Sequence, residues 1–317
     1  NFNQIVSVLT LLKMNKKLIK ELLTKVKPNP DFPSSYGCTY KKDEKELTLL
    51  VKNEGLKANM QNNEAAFESW AIALKYYLKD IETITIDWER DFSNGEDGFL
   101  HYNRFVYRLA KFVQTYSWAR SAKTIPAIPT MLYCNVGTEE AASADKHSLG
   151  SEGWLECKYV EEHSMDYDVI NHQFPVGLFH EKVSGTTYYT TGRKSAIDIW
   201  AIKDDCLSIF ELKKPENKHL GIISELMFYT NIVDDILSHR IMYEEESKNV
   251  KLAVEGDIRG FKKFHEVYEK GSINKIESIF LADNLHPLLS DELIDFINDS
   301  PRWKYKNISF KHEKIEK

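Results

Sequence analysis

Two hydrophobic runs separated by two residues constrain this chain more than any other feature: Ser195-Ala-Ile-Asp198-Ile-Trp-Ala-Ile202 with Lys203, then Asp204-Asp205, then Cys206-Leu-Ser-Ile-Phe-Glu211-Leu-Lys213. Joined by a two-residue turn, they pair Lys203 with Cys206, and the same register sets Asp198 opposite Glu211, about 5 Å apart at Cβ. Side chains alternate along a strand, so Glu211 and Lys213 point to one face while Phe210 and Leu212 point to the other. Two acids and an amine therefore converge on one face of an otherwise apolar hairpin.

Two carboxylates held together in an apolar sheet repel each other unless a cation sits between them. Oxygen-only ligands favour Mg²⁺ or Mn²⁺, and magnesium is usually held by one or two carboxylates, waters and substrate phosphate oxygens. Asp198 and Glu211 are the candidate ligands, with the backbone carbonyl of Leu212 as a further one. Lys213 would lie beside the phosphate, where its amine orients the attacking water or stabilises developing negative charge.

An Asp, a spacing of thirteen positions and then Glu-x-Lys across a hairpin resembles the PD-(D/E)xK nuclease superfamily, the fold of many restriction endonucleases. Asp198, Glu211 and Lys213 take the acid, acid and lysine positions, and Ile197 stands where the pattern has proline. The resemblance implies an α/β fold with a restriction endonuclease-like core: a mixed central sheet flanked by helices in the order α-β-β-β-α-β. It also implies Mg²⁺-dependent hydrolysis of phosphodiester bonds by an endonuclease, with DNA favoured over RNA; members of the superfamily serve restriction, phage defence, recombination, repair and transposition, of which restriction or phage defence is the expectation here. The alternative is a catalytically silent module of the same fold that binds nucleic acid or protein. Intact Asp198, Glu211 and Lys213 argue against it, because burying two acids and a lysine without a use is costly.

After Lys214-Pro215, residues Leu220 to Leu237 read as a helix with apolar positions at Leu220, Ile223, Met227, Ile232, Val233 and Ile236. On it Glu225-x-x-x-Tyr229 resembles a Gln-x-x-x-Tyr signature of one branch of the superfamily, which implies an outer contact from Glu225 to metal-bound water. A solvated Glu beside a half-buried Tyr is the other reading of this pair. Upstream, Gln61 to Leu78 reads as a helix capped by Asn62 or Asn63, with Glu64 and Glu68 sharing a face. Either glutamate is a candidate metal ligand, and either equally complements the helix dipole.

A formal net charge of −6 excludes a surface that binds polyanions throughout, so a nuclease must concentrate its basic groups locally. One candidate is the helix from His101 to Arg120, where Arg104, Arg108 and Lys111 form a stripe beside Phe105, Leu109, Phe112 and Tyr116. Another is Arg193-Lys194, at the entrance to the Asp198 strand. Cys38, Cys134, Cys157 and Cys206 show no Cys-x-x-Cys pair and are expected as reduced thiols. His163 and His172 lack ligand spacing and read as structural or surface residues.

Along the chain, residues 1–58 are expected to form an N-terminal helix and a linker or accessory region, and 59–317 a nuclease-like domain with an insertion around 124–184. Residues 1–27 form the helix, with Ile5, Leu9, Leu12, Leu18, Ile19, Leu22 and Leu23 on its stripe, and 31–58 read as turn-rich and charged. Such a stripe needs a surface to pack on, either within this chain, in a second copy or in an activating partner protein. Trp154 to Val160 and Val176 to His180 read as strands, Ile276 to Ala282 as a buried strand, Ser290 to Asn298 as a capped helix, and Phe310 to Lys317 as an edge strand and tail. Neither a membrane span nor a Walker-type loop is present in the sequence, so a cytoplasmic protein that does not itself hydrolyse ATP is expected.

Overall fold

Apolar residues recur with both helical and strand periods along the chain, and the computed structural model describes residues 16–27, 30–191 and 195–315 as a mixed α/β protein. The first elements are α1 (described over residues 16–26), β1 (Gly37–Lys41), β2 (Glu46–Val51), α2 (Asn53–Lys57), α3 (Phe67–Tyr77), β3 (Thr83–Trp88), α4 (Phe99–Thr115) and β4 (Ala119–Ser121). Next come β5 (Leu132–Cys134), α5 (Glu152–Glu162), β6 (Val169–Pro175), β7 (Leu178–His180), β8 (Ala196–Lys203), β9 (Cys206–Lys213) and α6 (Ile222–Leu237). The chain closes with β10 (Ile241–Met242), α7 (Lys248–Glu255), α8 (Phe261–Lys270), β11 (Lys275–Ala282), α9 (Asp291–Asn298), α10 (Pro301–Lys306) and β12 (Ile308–Glu313). Residues 1–15, Pro28 and Asn29, Gly192 to Lys194, and residues 316–317 lie outside the described residues, and with them the first half of the expected N-terminal helix. No helix among the described residues is long and apolar enough to cross a membrane.

Two compact units emerge. One comprises the described residues of Asn1–Ala127 with His219–Glu225 and Leu285–Arg302; the other comprises Ile128–Lys218, Leu226–Asn284 and Trp303–Lys317. The first is built on the sheet β1-β2-β3-β4, antiparallel between β1 and β2 and parallel thereafter. This corrects the turn-rich reading of 31–58. Leu47, Leu49 and Val51 alternate into the core with less buried neighbours, and the charged run Lys42 to Lys45 is only the connection between two strands.

The helix read from Gln61 is also shorter than expected. It begins at Phe67, and residues 61–65 are turns. Close backbone packing explains the difference, since a Cβ on Gly55 would lie 2.2 Å from the Glu64 carbonyl oxygen and one on Gly221 would lie 2.0 Å from that of Gln61. Glu64 and Glu68 consequently do not share a helical face.

In the second unit, a small sheet β10-β5-β7 accompanies the five-stranded sheet β12-β11-β9-β8-β6. The latter is mixed: β6/β8 and β8/β9 are antiparallel, and β9/β11 and β11/β12 are parallel. Ile199, Ala201, Phe210, Leu212, Ile279 and Leu281 form the core of one face with Tyr159 and Leu155 of α5. That helix overturns the strand read from Trp154 to Val160. Ser151 caps it by accepting the Trp154 amide at 3.2 Å, Glu152 occupies its first turn, and Leu155 and Tyr159, one turn apart, meet the sheet. Ser290 likewise caps α9 by accepting the Leu293 amide, as expected from the sequence.

Candidate active site

Asp204 and Asp205 turn the β8–β9 hairpin as the sequence predicts. Asp204 takes a left-handed φ of 56°, a conformation Asp tolerates, and its amide donates to the Asp168 carboxylate at 2.9 Å. Pairing runs from Lys203↔Cys206 to Ile199↔Phe210 and stops one step before Asp198 and Glu211 would meet. There the Asp198 carboxylate accepts the Leu212 amide at 2.9 Å, so a side chain replaces the next rung of the ladder. On its other flank β8 also loses a rung. His172↔Ile199 and Phe174↔Ile197 pair, while the intervening Gln173, opposite Asp198, takes a left-handed φ of 56°.

Strand alternation fixes which side the acids occupy. Phe210 and Leu212 belong to the apolar cluster under α5, so Glu211 and Lys213 face the opposite side. Glu211 is buried, 1 % exposed, and its carboxylate is ion-paired with the Lys213 ammonium, itself 7 % exposed. Ser278 of β11 pairs with Ile209 and shares that side, where it is hydrogen-bonded to Thr230 of α6 at 2.6 Å. The Leu226–Leu237 stretch of α6, including buried Tyr229, thus covers the face that carries the acids. Glu225 is buried one turn before Tyr229 on the same helix and belongs to the other compact unit.

The remaining candidates are placed differently from expectation. Glu68 is 2 % exposed and fully engaged with its own unit: Arg108 Nε donates to Oε1 at 2.8 Å, Arg108 Nη2 donates to Oε2, and the Ser224 hydroxyl donates to Oε2 at 2.8 Å. A carboxylate so occupied is a structural ion pair rather than a metal ligand in waiting. Arg108 also reaches the Ala65 carbonyl at 2.9 Å. Arg104 donates to the Ala58 carbonyl and the Asn59 side chain, each at 3.2 Å, and Lys111 lies over the Tyr107 ring. All three cations of the α4 stripe are buried, which corrects the expectation of a solvent-facing basic surface. Arg193 and Lys194 lie outside the described residues.

Two groupings escaped the sequence reading. Buried Glu156 of α5 accepts from the Gln173 side-chain Nε2 at 2.7 Å and stands 3.7 Å from His172 Nδ1, while Cys157 Sγ is 3.9 Å from His172 Nε2. Burial, with Glu156 next, pushes the Cys157 thiol pKa up. Reading residues 152–162 as a helix would have brought Glu156 and Cys157 to notice. The second grouping is Glu245, His265 and Glu269, the one set of three His, Cys, Asp or Glu among the described residues whose donor atoms lie within 4.8 Å of one another. The spacing of His265 and Glu269, one helical turn apart, was its signal in the sequence. In comparisons with known proteins, no family model, no curated protein and no solved structure matches this chain.

Proposed function

We propose that this protein is a metal-dependent nuclease that hydrolyses phosphodiester bonds, DNA in preference to RNA, in restriction or phage defence. The observation that carries the reading is the hairpin itself. Asp198, Glu211 and Lys213 share one face at the point where the β8–β9 ladder opens, and Glu211 is buried against Lys213. Supporting it is the order α5, β6, β8, β9, α6, β11, which follows the α-β-β-β-α-β sequence of a restriction endonuclease-like core once the short β7 is set aside.

The donor set fits a hard divalent cation, because two carboxylates supply oxygen alone. Asp198 and Glu211 would hold Mg²⁺ or Mn²⁺, with the Leu212 carbonyl beside them. When bound, the ion supplies Lewis acidity to a phosphate oxygen and lowers the pKa of water. Hydrolysis joins the oxygen of water to phosphorus and breaks one P–O ester bond, leaving an alcohol and a phosphomonoester. Lys213 contributes a fixed positive charge where negative charge builds on the phosphate oxygens, a contribution that grows in a site screened from water. The Leu212 amide holds the Asp198 carboxylate in orientation before substrate arrives.

The test is cleavage of supercoiled plasmid, linear duplex, single-stranded DNA and RNA with Mg²⁺, Mn²⁺ or EDTA, comparing wild type with Asp198→Ala and Lys213→Ala. Cutting that needs the metal and falls at least 100-fold in both folded variants is expected. Cutting that survives both substitutions would end this assignment. No cutting of any substrate, with no metal-dependent stabilisation abolished by Asp198→Ala, would favour the silent binding module.

A further inference from the structure

Away from the hairpin acids, the second compact unit carries a mixed nitrogen and oxygen donor set. Glu245 lies on the connection between β10 and α7, and His265 and Glu269 lie one turn apart on α8. One donor atom from each falls within 4.8 Å of the other two, near enough for the three to converge on a single cation. His265 Nε2 is 2.7 Å from Glu245 Oε2. The imidazole is held in place from within the helix, 5.7 Å from the Phe261 ring and 6.0 Å from the Tyr268 ring between centroids.

A second observation points to a missing positive partner. Glu245 Oε1 lies against the protein with no hydrogen-bond donor to it among the described residues, while the side chain as a whole is 41 % exposed.

We propose that Glu245, His265 and Glu269 form a site for a divalent transition-metal ion of the zinc class, clipping the β10–α7 connection to α8. Imidazole nitrogen with two carboxylates suits zinc, cobalt or manganese better than magnesium, which prefers oxygen alone. Three protein ligands leave further positions to water. The consequence reaches the sheet: Phe264 of α8 packs on Trp200 of β8 at 5.7 Å, two residues from Asp198. Fixing α8 therefore steadies the strand that carries the first hairpin acid, while the two sites differ in metal preference.

The experiment is calorimetric titration of the full chain with ZnCl₂, with thermal denaturation at matched zinc, for wild type, His265→Gln, Glu269→Gln and Asp198→Ala. Expected is one zinc equivalent that raises the melting temperature, weakened at least tenfold in His265→Gln and in Glu269→Gln and retained in Asp198→Ala. Glu269 is exposed, so its variant keeps the fold and separates loss of a ligand from loss of structure. Absence of zinc binding by the wild type, or binding unchanged in both ligand variants, overturns the proposal. So does loss confined to Asp198→Ala, or a cobalt spectrum with thiolate charge transfer, which would place the ion on a cysteine. Because these readouts are binding and stability, their failure leaves the nuclease assignment to its own cleavage assay.

Discussion

Replacing Arg108 by Leu should be among the most damaging single substitutions in the first compact unit. The guanidinium gives two hydrogen bonds to Glu68 and one to the Ala65 carbonyl, at positions where the two side chains are 4 % and 3 % exposed. Its removal strands the Glu68 carboxylate in the interior with the Ser224 hydroxyl as its remaining donor among the bonds described, and it leaves the Ala65 carbonyl short of one. Breaking a buried pair from one side costs about 3–5 kcal/mol, and the orphaned carbonyl adds on the order of 1 kcal/mol. Glu68→Gln keeps the shape and the Ser224 bond but leaves Arg108 facing a neutral amide, a loss of roughly 2–4 kcal/mol. The double variant should cost less than the sum by about 2 kcal/mol or more, because the second change removes the charge that the first one stranded. Urea unfolding of the four proteins, followed by fluorescence and by far-ultraviolet circular dichroism so that the two units can be told apart, supplies the cycle. Cleavage should fall in Glu68→Gln only as far as the folded fraction falls. Single losses under about 1 kcal/mol, strict additivity, or a fully folded Glu68→Gln without activity would each refute the structural role and restore Glu68 as a candidate ligand.

Three other outcomes are expected. Burial first, with His219 adding to it against the opposing pull of Asp31, lowers the His286 pKa from 6.5 to about 4, and the ring nitrogen Nδ1 accepts the Leu288 amide at 3.1 Å. Because the unfolded chain takes up this proton first, its contribution is complete above about pH 6.5 and is lost as pH falls toward 4, on the order of 3 kcal/mol in all. Urea midpoints at pH 7.5 and about 4.5 should converge in His286→Gln, and an unchanged pH slope in that variant would contradict the assignment. Gly221→Ala should destabilise by about 1–3 kcal/mol or more, since the new Cβ would meet the Gln61 carbonyl oxygen at 2.0 Å and backbone must move; a neutral melting temperature would show that residues 61–65 are not so fixed. Ser290→Ala should cost roughly 1 kcal/mol through loss of the α9 cap, read from the thermal midpoint.

The hairpin was legible because its rules are local: strand period, a two-residue turn and register leave one arrangement, and Lys203 does pair with Cys206. The caps of α5 and α9 were equally local, yet only Ser290 was recognised. In 152–162 the Trp, Tyr and Val residues suggested a strand and outweighed the Ser151 cap and the Leu155/Tyr159 spacing. What sequence could not supply was the partner of a charge. Arg104, Arg108 and Lys111 recur with a helical period that is the same for a solvated stripe and for one in which Arg104 and Arg108 are bonded by groups about forty positions away. The same limit hid Glu245, whose relation to His265 and Glu269 depends on the path of the intervening chain.

The short β8–β9 turn also says what can vary among relatives of this protein. β9 is pinned along its length by β11, so one residue inserted into or deleted from β8 between Asp198 and the turn shifts that strand against its partner. Every β8 side chain would then change sides, carrying Trp200 away from Phe264 and Ile199 out of the core under α5. Two added residues would restore the faces but slide Asp198 about 6.6 Å along the strand, out of reach of Glu211. The length of β8 between Asp198 and the turn is therefore under stronger constraint than its composition, while the turn itself can lengthen without moving either acid.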